Sequence, residues 1–315
     1  MQVFDAPSTR AALPFDRLIP ALRTMFRSAV EMPPRQVLQV GGPGGQGGTS
    51  FTSLIMPAWL PGRAYGVKVV NIAPGNGARG LPGLHASYVL HDALTGQPLA
   101  LIDGDQITAR RTAAASALAA SFLAPVDARH LLVVGAGQVA RLLPAAYRCV
   151  RPIERVTVWA RKADAAGTLA AELRDQGFDA QARTDLARAA AEASIVSCAT
   201  LATEPVVQGR WLRSGSHLDL IGSFTSAMRE ADDDCFRSAR LFVDTDEALA
   251  KSGDLLGPMS RGVFAADDVQ GTLAALCRGN RPGRRDPAER TVFKSVGSAL
   301  EDLAAAMLVL GLSPD

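Results

Sequence analysis

The sequence predicts an α/β protein in which a doubly wound parallel-sheet domain is inserted into a discontinuous α+β domain. Strands and helices alternate from about residue 130 to about residue 278, a pattern typical of a parallel sheet. Extended runs punctuated by Gly and Pro precede this block, and one amphipathic helix, preceded by "VFKSVG", follows it. We therefore expect one domain from residues 1–124 plus 290–315, and an inserted domain from residues 125–289.

The composition describes a globular chain of 315 residues, 48% hydrophobic, with a formal net charge of +2. Lys and Arg are spread along the chain, so neither a nucleic-acid partner nor a membrane partner is expected. The start of the chain carries no signal pattern, and no stretch approaches the roughly 18 apolar residues that a membrane span needs. The cysteines and histidines form no close pairs, which argues against a metal site. A cytoplasmic, metal-free protein is the expectation.

The first segment contains extended runs such as "RQVLQV", "TSFTSLIMPAW" and "AYGVKVVNIA", which predict an antiparallel or mixed sheet. A hairpin turn is expected at Thr95–Gly96, and a glycine-rich loop, "GGPGGQGG", occupies residues 41–48. Strand alternation places Lys68 beside Val70 on one face of an inner strand. A lysine buried there can act as acid, base or substrate ligand; the alternative is a lysine that snorkels from a strand end.

An alanine-rich helix is predicted from Asp105 to about Leu123. Arg111 lies in its apolar stripe, four residues after Ile107 and seven before Leu118. A buried arginine needs an anionic partner, because an unpaired buried charge is costly. That partner is either a structural carboxylate or the carboxylate of a bound substrate.

The stretch "VVGAGQVA" has the strand–turn–helix context of a dinucleotide-binding (Rossmann) motif. Gly135 permits the tight turn, Gly137 allows close approach of a pyrophosphate, and Ala140 replaces the third glycine. The next strand ends in Arg161 and Lys162, where NAD-preferring folds place an acid. This favours NADP(H), with NAD(H) possible; the alternative is a pair of solvated cations.

Taken together, these motifs resemble those of the ornithine cyclodeaminase/mu-crystallin family. The resemblance includes "GVKVVNIAPGN", "DQITARRTAAASALAA", "VVGAGQVA", "KSGDL" and "VFKSVGSALEDLAAA", in the family's order. It implies an NAD(P)-binding domain inserted into a substrate-binding and dimerisation domain, and hence a homodimer. It also implies reduction of a small (cyclic) imino acid by NAD(P)H, or the reverse oxidation of an amino acid.

The resemblance assigns roles to individual residues. Arg111 falls on the carboxylate-binding arginine, Lys68 on the substrate lysine and Arg35 on a second arginine of the first domain. We expect cofactor contacts from the following residues: Gly135, Gly137, Gln138, Val139, Arg161, Thr200 and Ser295. His85 is a weaker candidate for a proton relay, with a structural role as the alternative.

Two departures bear on the activity. Cyclodeaminase members carry a glutamate where this chain has Leu54, and an aspartate where it has Phe224. Without that aspartate, an imine (ketimine) reductase fits better than a true ornithine cyclodeaminase, which forms proline and ammonia. A non-catalytic NADP- or ligand-binding protein is the third alternative, which the retained Arg111 and Lys68 disfavour.

Overall fold

The computed structural model describes residues 1–41 and 49–313 and divides the chain into two units. The first unit comprises Met1–Arg111 and Ser298–Asp315, and the second comprises Thr112–Gly297. The predicted glycine-rich loop at 41–48 lies outside the described residues, apart from Gly41.

The first unit contains helices and a six-stranded sheet. In chain order the elements are β1 (Gln2–Phe4), α1 (Ala6–Ala12), α2 (Phe15–Arg27), β2 (Gln36–Gly41), β3 (Thr49–Leu60), β4 (Ala64–Ile72), β5 (Leu84–Asp92), β6 (Pro98–Asp103) and α3 (Gly104–Leu123). The boundary between the units falls within α3, after Arg111. Asp103 caps this helix by accepting a hydrogen bond from the Gln106 N–H at 2.8 Å.

These strands form a mixed sheet in the order β1-β6-β5-β4-β3-β2. β1 runs parallel to β6 and the other neighbours are antiparallel, which confirms the predicted mixed sheet. The hairpin predicted at Thr95–Gly96 is also present. Asp92 accepts hydrogen bonds from the N–H groups of Leu94 and Thr95, and Gly96 has a φ of 72°.

The second unit alternates strands and helices. Its elements are β7 (His130–Val134), α4 (Gln138–Arg148), β8 (Arg155–Trp159), α5 (Ala163–Asp175), β9 (Asp179–Ala182), α6 (Leu186–Glu192), β10 (Ile195–Cys198), β11 (His217–Leu220), β12 (Ala239–Val243), α7 (Ala248–Lys251), α8 (Gly253–Ser260), β13 (Gly271–Thr272), α9 (Leu273–Cys277) and β14 (Arg290–Lys294). The chain then returns to the first unit as α10 (Ala299–Val309).

All strand pairs of this second sheet are parallel, in the order β13-β12-β14-β11-β10-β7-β8-β9. The strand order reverses between β7 and β10, and ligands of such sheets bind beyond the carboxyl ends of the strands at this position. The doubly wound fold predicted from the sequence is confirmed.

The position of β14 differs from the predicted domain boundary. We assigned residues 290–315 to the first domain, but β14 pairs with both β11 and β12 inside the parallel sheet. The second unit therefore extends to Gly297. A short apolar strand carries no local signal for which of two sheets it joins, because strand partners are set by tertiary packing.

Helix α10 is not the amphipathic helix that we predicted for the end of the chain. It packs on β3, β4, β5 and α2, and most of its side chains are buried: Ala299, Leu300, Glu301, Asp302, Leu303, Ala304, Ala305, Ala306, Met307 and Val309. It has no polar face to turn to water, so its two acids lie inside the first unit. Within residues 1–41 and 49–313, no helix is long and apolar enough to cross a membrane.

Candidate active site

Lys68 lies in the interior of the first unit. Strand register places it between Met56 on β3 and Tyr88 on β5, and its side chain is 1% exposed. Its Nζ is 2.7 Å from Oδ2 of Asp302 on α10. Burial lowers the pKa of Lys68 to about 8, although the Asp302 carboxylate acts in the opposite direction. The alternative of a lysine snorkelling to solvent is therefore wrong.

Arg111 joins the same buried group from α3. Its Nε lies 2.9 Å from Oδ1 of Asp302, and its Nη1 lies 2.7 Å from Oε2 of Glu301. Burial opposes the charge, but the two carboxylates raise the pKa of Arg111 above its ordinary value. The structural carboxylate that we considered as its partner is thus present, and it is supplied by α10. Substrate binding by Arg111 stays a prediction.

Glu301 and Asp302 were not among the site residues predicted from the sequence. Both are fully buried, and Asp302 contacts both Lys68 and Arg111. A signal for them existed in the sequence. Two adjacent acids open the run "LEDLAAAMLVLGL", which is otherwise free of charge. Acids in a helix without a polar face must be buried, and buried carboxylates require cationic partners.

Two other predicted residues of the first unit lie apart from this strand position. Arg35 immediately precedes the edge strand β2, which β3 separates from β4. His85 is exposed on β5. Because Tyr88 pairs with Lys68 and side chains alternate along a strand, His85 lies on the opposite sheet face from Lys68. A proton relay through His85 to Lys68 is therefore excluded.

In the second unit, Gly135 follows β7 with a φ of 125°, a conformation that L side chains rarely adopt. Its N–H donates to the Trp159 carbonyl at 2.7 Å. A Cβ at this position would lie 2.6 Å from the Ala199 carbonyl oxygen. Only glycine therefore allows the chain to turn so close to the ends of β8 and β10.

The turn continues into an open helix N-terminus. Gly137 is the N-cap of α4, is exposed, and makes no side-chain capping hydrogen bond; a Cβ there would meet open space. Gln138 is exposed and Val139 half-buried in the first turn, whereas Ala140 is buried. The first N–H groups of α4 are consequently not capped by any side chain of the described residues, which suits an anionic group.

Arg161 and Lys162 are both exposed in the connection between β8 and α5. β8 is the parallel neighbour of β7, with Trp159 opposite Val134. The two cations therefore follow β8 at the same sheet edge at which Gly135 follows β7.

Thr200 follows β10 at this edge and is held by Glu230. The Thr200 N–H and hydroxyl donate to Oε1 of Glu230 at 2.7 and 2.8 Å. The N–H groups of Gly222 and Ser223, which follow β11, donate to Oε2 at 2.8 and 3.3 Å. Burial raises the pKa of Glu230 to about 7. The Glu230 carboxylate thus accepts hydrogen bonds from two loops at the carboxyl edge of the sheet.

Ser295 follows β14 and is also fixed by a buried carboxylate. Its hydroxyl donates to Oδ2 of Asp244 at 2.9 Å. The preceding Lys294 pairs with Oδ2 of Asp254 at 3.0 Å, and Oδ1 of Asp254 accepts a hydrogen bond from the Glu230 N–H at 2.8 Å. The predicted residues of the second unit therefore lie on loops at one edge of the parallel sheet, and buried ionic contacts hold several of these loops.

The position that departs from the cyclodeaminase pattern holds no acid. Phe224 packs against the buried core of the second unit. Two acids that lie near Phe224 in the sequence are both engaged: Glu230 by the loops described above, and Asp219 by the hydroxyl groups of Ser116, Ser197 and Tyr147. Burial raises the pKa of Asp219 to about 6.

Known proteins share this sequence pattern and fold. The family model described as "Ornithine cyclodeaminase/mu-crystallin family" matches residues 9–311. A Δ1-pyrroline-2-carboxylate reductase from Paracoccus denitrificans is 42% identical over 298 residues, covering 91% of this chain and 92% of the relative.

Two solved structures cover 99% of the chain. One is the Thermococcus litoralis Δ1-pyrroline-2-carboxylate reductase in complex with NADH and L-proline, with a TM-score of 0.92, 33% identity and 97% coverage of that protein. The other is an archaeal alanine dehydrogenase dimer with bound NAD, with a TM-score of 0.91, 28% identity and 95% coverage. The chain belongs to the ornithine cyclodeaminase/mu-crystallin family, as its motifs predicted.

Proposed function

We propose that this protein reduces a small cyclic imino acid, such as Δ1-pyrroline-2-carboxylate, to the corresponding amino acid with NADPH or NADH, and catalyses the reverse oxidation. The observation that carries the proposal is the buried pair of Lys68 and Arg111, held on one carboxylate inside the first unit. Support comes from two reductases of this substrate, one 42% and one 33% identical to the chain.

Arg111 binds the substrate carboxylate in this scheme. Its guanidinium has five N–H donors, of which Asp302 and Glu301 engage one each, at Nε and Nη1. The planar donor fork suits a carboxylate, and fixing that group orients the C=N bond beside it. We assign a supporting carboxylate contact to Arg35.

Lys68 supplies the proton for the imine nitrogen. Its pKa of about 8 lies close to neutral pH, where a general acid works best because it is protonated yet gives up its proton readily. A bound NAD(P)H would supply a hydride to the imine carbon. The C=N π bond of the substrate would break as one C–H and one N–H bond form, and Lys68, having given the proton of the N–H bond, would be left as a neutral amine.

The second unit fits a dinucleotide. Gly135 forms a turn that a Cβ would block, and α4 presents N–H groups without a side-chain cap. Gly137, Gln138 and Val139 would hold the pyrophosphate there. Thr200 and Ser295 lie on loops at the same sheet edge, and we assign them to the nicotinamide side of the cofactor.

We propose NADP(H) as the favoured cofactor, with NAD(H) accepted. Arg161 and Lys162 are exposed beyond the end of β8, where a cation can bind a 2′-phosphate. The related solved structures contain NADH or NAD. We therefore expect this chain to bind both cofactors, with a higher affinity for NADP(H) than for NAD(H).

The proposal is tested with purified protein, Δ1-pyrroline-2-carboxylate and each reduced cofactor, followed by nicotinamide absorbance. Lys68→Met and Arg111→Ala should each abolish turnover while leaving cofactor affinity nearly unchanged. Lys251→Met is the matched control, because Lys251 forms only a partly exposed pair with Glu247.

Two results would instead favour the alternatives. Formation of proline and ammonia from ornithine with catalytic NAD⁺ would identify a true cyclodeaminase, against which the apolar packing of Phe224 argues. Tight NADPH binding without turnover of any imino acid would identify a ligand-binding protein.

We propose a homodimer formed through the mixed sheet. Helix α10 covers one face of β3, β4 and β5, where Lys68 lies. On the other face of β4, Tyr65, Val67 and Val69 form an apolar, half-buried row. The alanine dehydrogenase relative is a dimer. Sedimentation analysis tests the proposal, and Val67→Glu should yield monomers.

A further inference from the structure

The side chain that links the two active-site cations is a carboxylate to which no role has been given. Oδ2 of Asp302 lies 2.7 Å from Nζ of Lys68, and Oδ1 lies 2.9 Å from Nε of Arg111. Glu301 is its neighbour on α10, and its Oε2 lies 2.7 Å from Nη1 of Arg111. We propose that Asp302 is a positioning residue that sets the spacing and orientation of Lys68 and Arg111 for the imino acid. The inference rests on the function proposed above.

Three elements meet at Asp302. Lys68 extends from β4, Arg111 from α3 and Asp302 from α10. A lysine side chain has a flexible four-carbon stem and could adopt many rotamers in a larger space. The two oxygens of Asp302 belong to one rigid carboxylate, so the cations bound to them cannot shift independently. Asp302 thus orients the two groups that contact the substrate. Carboxylates that hydrogen-bond to metal-binding histidines orient those histidines in the same way.

The charges in this group balance. Lys68 faces Met56 from β3, Tyr88 from β5, Arg111 from α3, and Glu301 and Asp302 from α10. Two cations and two carboxylates therefore sum to zero in a mostly buried region, in which Arg111 remains 6% exposed.

Loss of the Asp302 charge would leave Lys68 beside Arg111, with Glu301 as the remaining carboxylate of this group. Both burial and the neighbouring cation would then disfavour the ammonium form. The pKa of Lys68 must fall in such a variant.

The pKa of Lys68 can be measured without an activity assay, because the chain contains few lysines. The chain has only four lysines: Lys68, Lys162, Lys251 and Lys294. Protein labelled with ¹³C at lysine Cε should give few signals, and Lys68→Met identifies the signal of Lys68. In Asp302→Asn the titration of Lys68 should move to lower pH by at least about one unit, a tenfold change in the protonation equilibrium. Lys294, which is paired with Asp254 in the second unit, is the internal reference.

Glu301→Gln is the matched control. It removes an equally buried carboxylate from the same helix turn, but one whose ion pair among the described residues is with Arg111, whereas that of Lys68 is with Asp302. Its Lys68 signal should shift much less than in Asp302→Asn. Equal shifts in both variants, or no shift in Asp302→Asn, would overturn the proposal.

Asp302→Glu separates positioning from charge. It keeps the carboxylate but lengthens its arm by one methylene, so Lys68 should stay close to its original pKa while kcat/KM for Δ1-pyrroline-2-carboxylate falls at least about tenfold. NADH affinity should not change. Full activity in Asp302→Glu would refute a positioning role.

The lysine titration also distinguishes a failure of the proposed function from a failure of the proposed role of Asp302. If the wild-type protein reduces no imino acid, the proposed function fails. The titration of Asp302→Asn against Glu301→Gln would still decide whether Asp302 controls Lys68.

Discussion

Removal of Arg111 should lower the free energy of unfolding of the first unit. A second substitution that removes the Glu301 charge should restore part of that loss. Arg111→Met turns a neutral buried group of two cations and two carboxylates into one with an excess negative charge. Breaking a buried ion pair in this way costs about 3–5 kcal/mol. In Arg111→Met with Glu301→Gln, one cation and one carboxylate remain, and neutrality is restored.

The double variant should therefore be more stable than the sum of the single changes. We expect a coupling energy of about 1.5–3 kcal/mol, the upper part of the range for residues in one network. Arg17→Met, at an exposed position on α2, is the matched control and should stay within about 0.5 kcal/mol of wild type.

Urea unfolding followed by tryptophan fluorescence measures these differences. The chain has three tryptophans, and only Trp59 lies in the first unit. In a background with Trp159→Phe and Trp211→Phe, the fluorescence of Trp59 reports unfolding of the first unit alone. This separation is needed because a chain of two units need not unfold in one step. Strictly additive single changes, or a loss below about 1 kcal/mol in Arg111→Met, would refute the charge-balance reasoning.

Three further predictions concern the cofactor and pH. Arg161→Ala should weaken NADPH binding far more than NADH binding in a fluorescence titration, and an unchanged ratio would remove the basis for NADP(H) preference. Gly135→Ala should abolish binding of both cofactors, because its Cβ would lie 2.6 Å from the Ala199 carbonyl oxygen; Gly177→Ala, with open space around its Cβ, is the control for a glycine at positive φ. The kcat/KM for imine reduction should fall as pH rises above about 8, because Lys68 loses its proton there. A profile flat well beyond that pH would show that Lys68 is not the acid.

Features encoded within short segments could be predicted from the sequence. The turn at Gly135 and the cations after β8 are both determined within about thirty residues of one strand–helix–strand unit. Arg111 could likewise be placed on a buried face, because helix periodicity is local. The fold class, which the structure confirms, could be predicted for the same reason, because the alternation of strands and helices is a local pattern.

Partners that lie far apart in the chain could not be predicted. Arg111 and Asp302 are separated by 191 positions, and nothing near either residue specifies the other. The assignment of β14 failed similarly, because its neighbours in the parallel sheet are distant strands. The sheet face of His85 relative to Lys68 could not be predicted either, because it depends on the register between β4 and β5.

The segment from β14 to α10 has a consequence for the order of events during synthesis. β14 lies between β12 and β11, so the parallel sheet stays divided until residues 290–294 have been made. Asp302 and Glu301 follow directly, and until they arrive Lys68 and Arg111 are cations without counter-charges in a forming core. The second unit can therefore complete its sheet only once β14 has been made, and the first unit can neutralise its two buried cations only after α10 follows. Until β14 arrives, the unpaired edges of β11 and β12 are open to wrong partners.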